Sequence, residues 1–173
     1  IYLLNREFDA TAPNQKWVTD VTEFSVGDQK LYLSPVMDLF DRQIISYTLG
    51  TSPNLTLTNT SLQQALTCLQ PGQQPLVHSD QGFQYQHISW RRLLEGAGAV
   101  QSMSRKANCY DNAVMENFFG HLKEELFHRV RFLNTDALAT ALHEYLHWYN
   151  NDRISTKLKG LSPVQYRAQA LAA

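Results

Sequence analysis

Three acidic residues stand at positions where carboxylates are unusual. Asp20 lies within the alternating segment KWVTDVTEF, Asp80 follows the short apolar segment PLVHS, and Glu116 falls in a segment of helical periodicity. Aspartate is disfavoured inside strands, and open α/β sheets bind ligands beyond the ends of their strands. Clustered carboxylates either hold a proton or bind hard cations such as Mg²⁺. Three of them would suit a site where two metal ions promote chemistry at a phosphodiester.

Both aspartates also have a plain structural interpretation. Asp20 could form a side-chain hydrogen bond at a sheet edge, and Asp80, which precedes Gln81 and Gly82, could cap a turn. The residue types alone leave both interpretations open.

A competing motif occurs near the end of the chain, where residues 143–147 read HEYLH. This H-E-x-x-H pattern on a helix is typical of zinc metalloproteases, with the glutamate as general base. Catalytic zinc needs a third protein ligand, and the 26 residues after His147 contain no histidine and no glutamate. The apolar residues around the motif instead predict an amphipathic packing helix.

The elements that must position the three acids follow from periodicity. Alternating β-branched and aromatic residues predict strands over 16–24, 30–39 and 43–49, which the short connections join into an antiparallel meander. Helical spacing then predicts a helix from 55 to 69, and further helices at 88–94, 112–127 and 135–150. Two more short strands are predicted at 75–79 and 99–103.

This order predicts an α/β fold, a mixed five-stranded sheet with helices on both faces. The meander supplies three strands, and the two later strands complete the sheet. Because the first and fourth strands can be neighbours in this topology, Asp20 and Asp80 can lie close together with Glu116 near them.

The composition is that of one folded domain. The chain has 173 residues, of which 43% are hydrophobic and 18% charged, and Gly and Pro together number 14. No apolar run approaches the roughly 20 residues of a membrane helix, so we expect no membrane partner. Two cysteines are too few to staple the fold, and with no signal peptide in view they favour a reducing, cytosolic setting.

The net charge of −1 hides an asymmetry between the two parts of the chain. Residues 1–100 carry 6 basic and 9 acidic side chains, whereas residues 101–173 carry 9 and 7. A site that collects carboxylates for metal ions would be acidic without its metals. The absence of a basic excess therefore does not exclude a nucleic-acid partner.

Five segments together carry a resemblance to a known family. In order, they are NQKWVTDVTEF (14–24), VMDLFDRQIISYTL (36–49), HSDQGFQY (78–85), SMSRKANCYDNAVMENFFGHLKEEL (102–126) and YNNDRISTKLKGLSPVQYR (149–167). In these segments the chain resembles the catalytic core of DDE transposases of the insertion-sequence-three family, which are related to retroviral integrases. The interval between Asp80 and Glu116 contains 35 residues, the spacing for which those enzymes are known.

The resemblance implies a ribonuclease-H-like fold over a single domain, residues 1–173. It implies that Asp20, Asp80 and Glu116 are a catalytic triad holding two Mg²⁺ or Mn²⁺ ions. The implied reaction is nicking at transposon ends followed by attack of the freed 3′ hydroxyl on another phosphodiester. DNA ends and target DNA would be the partners of a homo-oligomer in the bacterial cytoplasm, associated with the nucleoid.

Several other residues have implied or expected roles. The family carries a basic residue at the position of Lys123, two helical turns after Glu116, thought to contact DNA near the cleaved phosphate; a solvated lysine is the alternative. Arg105 and Lys106 precede the same helix and suit a phosphate backbone, although a solvated loop would carry them equally well. His78 could reach the metal site or lie buried and hydrogen-bonded. Either of two residues, Asp111 or Asn112, is expected to cap the helix of Glu116.

The sequence departs from the commoner family wording at a few positions. Gln81 and Phe83 replace Arg and Ser of HSDRGSQY, and residues 151–160 lack the usual Arg- and His-rich wording. The first change is expected to weaken local DNA contact. The helix-turn-helix region that recognises transposon ends is expected to precede Ile1. A plain ribonuclease H and a non-catalytic DNA-binding module remain alternative functions, which the 35-residue interval and the presence of all three acids disfavour.

Overall fold

The computed structural model describes the backbone of residues 1–173 and every side chain except that of Cys109. Among these residues, six strands form one mixed sheet. The strands are β1 (Lys16–Thr19), β2 (Thr22–Val26), β3 (Gln29–Asp38), β4 (Ile44–Gly50), β5 (Leu76–Ser79) and β6 (Val100–Met103).

The long strand β3 organises the antiparallel half of the sheet. It pairs antiparallel with β1, β2 and β4, while β5 lies parallel to both β1 and β6. Residues 16–24 form two strands rather than the single predicted one, because the ladder is interrupted at Asp20 and Val21. At this break the Asp20 side chain accepts a hydrogen bond from the backbone amide of Val21 at 2.7 Å. The mixed sheet is thus confirmed, with one interruption at a candidate site residue.

Six α-helices accompany the sheet in the part of the chain that is described. They are α1 (Leu55–Leu66), α2 (Phe83–Gln86), α3 (Ile88–Gly96), α4 (Ala113–Leu122), α5 (Thr135–Asn151) and α6 (Pro163–Ala172). A 3₁₀ turn (Cys109–Asn112) leads into α4, and a π-helical turn (Lys123–Phe127) continues it. The predicted helix over 112–127 therefore exists, with different hydrogen bonding in its last turn.

Helices cover the sheet on both faces, as predicted. Successive strand residues point to opposite faces, so Trp17 and Val18 of β1 enter different cores. Val18 packs in the larger core with residues of α4 and α5, such as Met115 and Leu142. Trp17 packs in the smaller core with Trp90 of α3 and with α1. The large apolar area buried on each face fixes β1 firmly, and with it the position of the residue that follows β1.

The C-terminal part of the chain fastens the connection between β3 and β4. The Tyr149 hydroxyl donates to the carbonyl oxygen of Arg42 at 3.0 Å. The Asn150 side chain bonds both the amide and the carbonyl of Ile44, each at 2.9 Å. Arg167 of α6 pairs with two fully buried carboxylates, those of Asp38 and Asp41. These contacts explain two of the resemblance segments, 36–49 and 149–167, as parts of one structural joint.

Two sequence-based expectations concern features outside the site. The thiol of Cys68 is free and exposed, while the side chain of Cys109 lies outside the described part of the structure. Among the described helices, none has the length and apolar character that crossing a membrane requires.

Candidate active site

Asp20 and Asp80 follow the ends of two neighbouring parallel strands. In the β1–β5 ladder, Lys16 pairs with Leu76 and Val18 with His78. The same register carried two residues further sets Asp20 opposite Asp80. The topology thus brings together two of the three acids that the sequence singles out, at the edge of the sheet where α/β proteins bind ligands.

Asp20 is held in place but poorly solvated. One carboxylate oxygen accepts the Val21 amide at 2.7 Å and the other accepts the side-chain amide of Asn112 at 2.9 Å. Burial, and then the charge of Asp80, raises the pKa of Asp20 to about 7, and the charge of Glu116 acts in the same direction. The two hydrogen bonds oppose this rise only in part. The arrangement therefore favours a proton or a cation at this carboxylate.

Asp80 is fixed by the turn that follows it. Its Oδ1 accepts the backbone amide of Gly82 at 2.7 Å. A Cβ placed on Gly82 would lie 2.9 Å from that same oxygen and 2.9 Å from Oε1 of Gln84. Glycine is needed here for this close approach rather than for backbone freedom. Asp80 does cap a turn, and it still faces the site.

Glu116 lies in the first turn of α4 and is exposed. It shares one open cavity of about 430 Å³ with Asp20 and Asp80. Within the described structure, no hydrogen bond holds the Glu116 carboxylate. The cavity lining is completed by Gln81, Ser104, Arg105, Lys106, Ala107, Asn108 and Asn112.

Asn112 contacts Asp20 instead of capping the helix, which corrects one alternative of the expectation from sequence. It occupies the N-cap position of α4 but makes no side-chain bond to the helix backbone. Its amide nitrogen is used by Asp20, and its buried amide oxygen has no hydrogen-bond partner. A buried, unpartnered oxygen beside carboxylates is a feature that a cation or its bound water would satisfy.

Asp111 does not cap α4 either, because its carboxylate is used by two arginines. It is fully buried and accepts the backbone amide, Nε and Nη2 of Arg105, as well as Nε of Arg6. The bonds from Arg105, opposed by burial, hold the pKa of Asp111 well below its usual range. The cap of the preceding 3₁₀ turn is Asn108, which accepts the Tyr110 amide. The loop at the cavity rim is therefore fixed by a buried carboxylate that pairs with two half-exposed arginines.

The three basic residues expected at DNA differ in their placement. Arg105 and Lys106 line the cavity, but the Arg105 guanidinium is tied to Asp111. Lys106 is exposed at the rim. Lys123 is not among the residues lining the cavity; its ammonium donates to the carbonyl of Glu23 at 3.1 Å and lies 5.2 Å from the centre of the Phe24 ring.

His78 is buried between two serines rather than in the cavity. Ser102 Oγ accepts the amides of Leu3 and Leu4 and contacts Nδ1 of His78 at 2.8 Å. The hydroxyl proton of Ser102 is therefore free to be donated to Nδ1 of His78. The ring is then neutral with its proton on Nε2, which donates to Ser104 at 3.1 Å. Burial lowers the pKa of His78 to about 4, in accord with this tautomer.

Whether the cavity suits a divalent cation depends on its donors. Carboxylate and amide oxygens are the ligands that Mg²⁺ and Mn²⁺ take. Among the described residues, no three carboxylate, imidazole or thiol groups already converge closely enough to ligate an ion. The residues fit such an ion by chemistry, since Asp20 is poorly solvated, Asn112 has an unpartnered oxygen, and nothing described restrains Glu116.

Comparison with known proteins places this arrangement in a family. The integrase core domain matches residues 10–109 and again residues 116–171. The chain belongs to the integrase core family. It is 52% identical over 169 residues to a transposase-like protein of Haemophilus influenzae, covering 98% of this chain and 78% of that protein. It is 35% identical over 171 residues to the transposase InsF for insertion sequence IS3fB of Escherichia coli K12, which identifies it as an insertion-sequence-three-family transposase core.

Solved integrase structures share the fold of this integrase core. The catalytic core domain of HTLV-2 integrase superposes with a TM-score of 0.69 at 18% identity, covering 91% of this chain and 98% of that one. A simian T-cell lymphotropic virus intasome chain gives a TM-score of 0.76 at 20% identity, covering 92% and 56%. The ribonuclease-H-like fold that the resemblance implies is thereby confirmed. The alignment with InsF spans 98% of this chain but only 59% of InsF.

The H-E-x-x-H motif of this integrase core lies on α5, away from the three acids. His143, Glu144 and His147 are exposed, and the His143 ring contacts the Tyr47 hydroxyl at 2.6 Å. The opposite stripe of α5 is buried, as predicted for a packing helix. Since no described group of three ligands includes these histidines, the structure offers no zinc centre among the residues it describes.

Sequence reasoning missed the part that Asn112 plays in the site. Asn112 precedes Glu116 by four residues, one helical turn, so both share a helix face. That spacing is the signal from which the place of Asn112 at the cavity could have been predicted. Its partner Asp20 lies 92 residues away and is brought near only by the tertiary fold.

Proposed function

We propose that this integrase core cuts DNA at the ends of a transposable element and joins the freed 3′ hydroxyl to another phosphodiester. Asp20, Asp80 and Glu116 would hold two divalent cations, Mg²⁺ or Mn²⁺. The observation that carries the proposal is the register of β1 and β5, which sets the two aspartates opposite each other in a cavity that Glu116 shares.

Cations held by Asp20, Asp80 and Glu116 would supply Lewis-acid chemistry at the attacking and leaving oxygens of a phosphodiester. The fold holds the carboxylates close together in the absence of the ions, although their charges repel one another. Asp20 is partly deprived of water and close to Asp80, so its charged form is destabilised until a cation is present. Asn112 and Val21 fix the direction of its carboxylate, and Gly82 fixes that of Asp80.

The rim of the cavity would bind the DNA backbone. Lys106 is exposed at the rim, and its ammonium would contact a phosphate. Arg105 presents a guanidinium whose position is set by Asp111, so little side-chain entropy is lost when it binds. Lys123, which is partly buried against β2, would contact the duplex farther along the helix.

The wider assignments rest on relatives. HTLV-2 integrase cores were solved in complex with magnesium in dimeric and trimeric forms. By similarity we propose that this chain uses the same type of ion and works as a homo-oligomer on DNA, in the bacterial cytoplasm at the nucleoid. Recognition of the element's ends would reside outside the single domain formed by residues 1–173.

Strand cleavage of labelled duplex DNA with Mg²⁺ or Mn²⁺ tests the proposal. Asp20→Asn, Asp80→Asn and Glu116→Gln should each abolish cleavage and strand transfer while thermal unfolding stays cooperative. His143→Ala serves as the matched control and should retain activity. Cleavage at the unsubstituted level in any acid variant would remove that residue from the proposed triad, and its loss in His143→Ala alone would favour the H-E-x-x-H motif.

A further inference from the structure

A second cavity of about 240 Å³ lies on the other flank of α4. It lies between α4, the end of α5, the β3–β4 connection and the segment that follows α5. Its polar lining includes Arg42, His121, Arg153 and Lys157. Among the described residues that line it, none carries a carboxylate. The cavity therefore collects cations, in contrast to the acidic one on the neighbouring face of the helix.

We infer that this cationic cavity binds a phosphate of the DNA backbone, on the strand that also enters the acidic cavity. The inference rests on the proposed function, which brings DNA to α4. It assigns to the joint between residues 36–49 and 149–167 a role beyond the structural one described above.

Arg42 is the best positioned of the cations. Its side chain is 12% exposed, and its Nη1 is buried with no hydrogen-bond partner in the described structure. Its carbonyl is held by the Tyr149 hydroxyl, so its backbone is fixed. A buried guanidinium with an unused donor favours an anion, because pairing relieves the cost of desolvation. A fixed arginine also loses little entropy on binding.

The carboxylates that touch these cations come from outside the cavity. Asp9 contacts Nη2 of Arg42 and Nζ of Lys157, both at 3.3 Å, and its side chain is 85% exposed. One exposed carboxylate therefore bridges two cations at long distances. Exposed pairs of this kind contribute little, so a phosphate can replace Asp9 at small cost. The contact shows that an anionic group is accepted at this place.

Arg153 is paired more tightly but keeps free donor capacity. Its Nε and Nη2 both bond Glu125 at 2.8 Å. That pair orients the guanidinium of Arg153, and its Nη1 takes no part in the two bonds to Glu125. Arg42 and Lys157 share the single charge of Asp9, so the cavity retains a positive excess that a phosphodiester would neutralise.

The position on α4 makes DNA the fitting source of the phosphate. Glu116 lines the acidic cavity and its chain neighbour Asn117 lines the cationic one. The two cavities are thus separated by about the width of a helix, roughly 10 Å. A separation of this size is only a few nucleotides of a DNA strand, so a duplex that reaches the acids also reaches this cavity.

The test compares charge variants by the salt dependence of binding to a fluorescent duplex, followed by anisotropy. Lys157→Gln should weaken binding several-fold and reduce the slope of log Kd against log salt by about 0.9, the value for one phosphate contact. Asp9→Asn should strengthen binding several-fold, because it removes a competing carboxylate and leaves every cation in place. Both residues are exposed, and melting curves verify that the variants fold.

Arg92→Gln is the matched control, since it removes one exposed positive charge on α3, at a residue that lines neither cavity. It should leave the slope unchanged. An identical slope for Lys157→Gln and Arg92→Gln, a weaker affinity in Asp9→Asn, or no binding of duplex at low salt would each overturn the inference.

Inorganic phosphate provides the remaining arm, since it shares the chemistry of a DNA phosphate. Calorimetric binding of inorganic phosphate that depends on Lys157, without any change in DNA binding, would assign the cavity to free phosphate and overturn the inference. Metal titration of the acidic cavity is independent of these residues. If the DNA-binding tests fail while the protein still binds metal, only this inference is contradicted. If the protein does not bind metal, the proposed function is contradicted.

Discussion

The side-chain amide of Asn112 donates to the carboxylate of Asp20 at 2.9 Å, across 92 residues of sequence. This contact joins the start of the helix that carries Glu116 to the strand end that carries Asp20. It also leaves the Asn112 oxygen buried and unpartnered beside the acids. Asn112 is therefore a positioning residue of the proposed metal site rather than a helix cap.

Replacing Asn112 should weaken metal binding more than it weakens the fold. In Asn112→Ala one hydrogen bond disappears together with an unsatisfied oxygen, so the loss of stability should be about 1 kcal/mol or less. The Asp20 carboxylate loses its orientation, and affinity for Mn²⁺ should fall about 10-fold or more, as for other residues that orient metal ligands. Asn117→Ala, an exposed asparagine on the same helix, is the control. Equal Mn²⁺ affinities for the two variants would contradict the assignment.

Asp20 should make the metal-free protein less stable as the pH rises. Its folded-state pKa is about 7 against 3.8 for the unperturbed group, so between these values the folded state binds the proton more tightly than the unfolded state. Stability from this group is present below pH 4 and is lost as pH rises to about 7. Asp20→Asn removes that loss.

Thermal unfolding in chelator, measured from pH 4 to pH 8, checks this expectation. The stability advantage of Asp20→Asn should grow with pH to at most about 4 kcal/mol and then level off above pH 7. Added Mn²⁺ should stabilise the unsubstituted protein and not the variant. If the difference in stability between the two proteins stays constant with pH, the pKa of Asp20 is not perturbed.

His78 should act in the opposite direction. Its folded-state pKa of about 4 lies below the usual value of 6.5, so the unfolded state binds the proton more tightly in this window. Stability from the neutral ring is present above pH 6.5 and is lost as the pH falls to about 4. His78→Gln should abolish that acid-dependent loss, whereas the control His128→Gln should keep it. Since Asp20 titrates in the same range, the comparison is made as a difference from the unsubstituted protein at each pH.

Two glycines should respond oppositely to alanine. At Gly82 a Cβ would come within 2.9 Å of Asp80 Oδ1, so Gly82→Ala should displace Asp80 and lower both Mn²⁺ affinity and stability. At Gly120 in α4 no atom outside the neighbouring residues and the nearby helix backbone lies within 4 Å of the added Cβ, so Gly120→Ala should stabilise the protein by about 0.5–1 kcal/mol. Unchanged Mn²⁺ affinity in Gly82→Ala would show that Asp80 can bind metal from a shifted position.

Local patterns in the sequence were sufficient to predict most of the fold. The alternation in 30–39 and 43–49 gave β3 and β4, and the apolar spacing of 135–150 gave α5 within one residue. The two aspartates were singled out because Asp20 lies within one predicted strand and Asp80 just beyond another, and because the topology allows these strands to be neighbours. These features depend on residues close in sequence or on general rules of sheet connection.

Contacts between distant residues account for what the sequence did not predict. The sequence predicts that either Asp111 or Asn112 caps α4, but in the folded chain Arg105 binds the Asp111 carboxylate and Asp20 binds the Asn112 amide. The break in the first strand coincides with the hydrogen bond that the Asp20 carboxylate accepts from the Val21 amide, and alternation of residue types does not reveal it. The cationic cavity likewise combines Arg42 with Arg153 and Lys157, whose proximity no periodicity reveals.

Calorimetric titration of the metal-free protein with Mn²⁺ tests the central claim most directly, because it does not require DNA or any region outside this chain. The account predicts binding that is lost or greatly weakened in Asp20→Asn, Asp80→Asn and Glu116→Gln and is retained in His143→Ala. Binding that survives in the three acid variants and disappears in His143→Ala would contradict it, and would place the metal on the H-E-x-x-H helix instead.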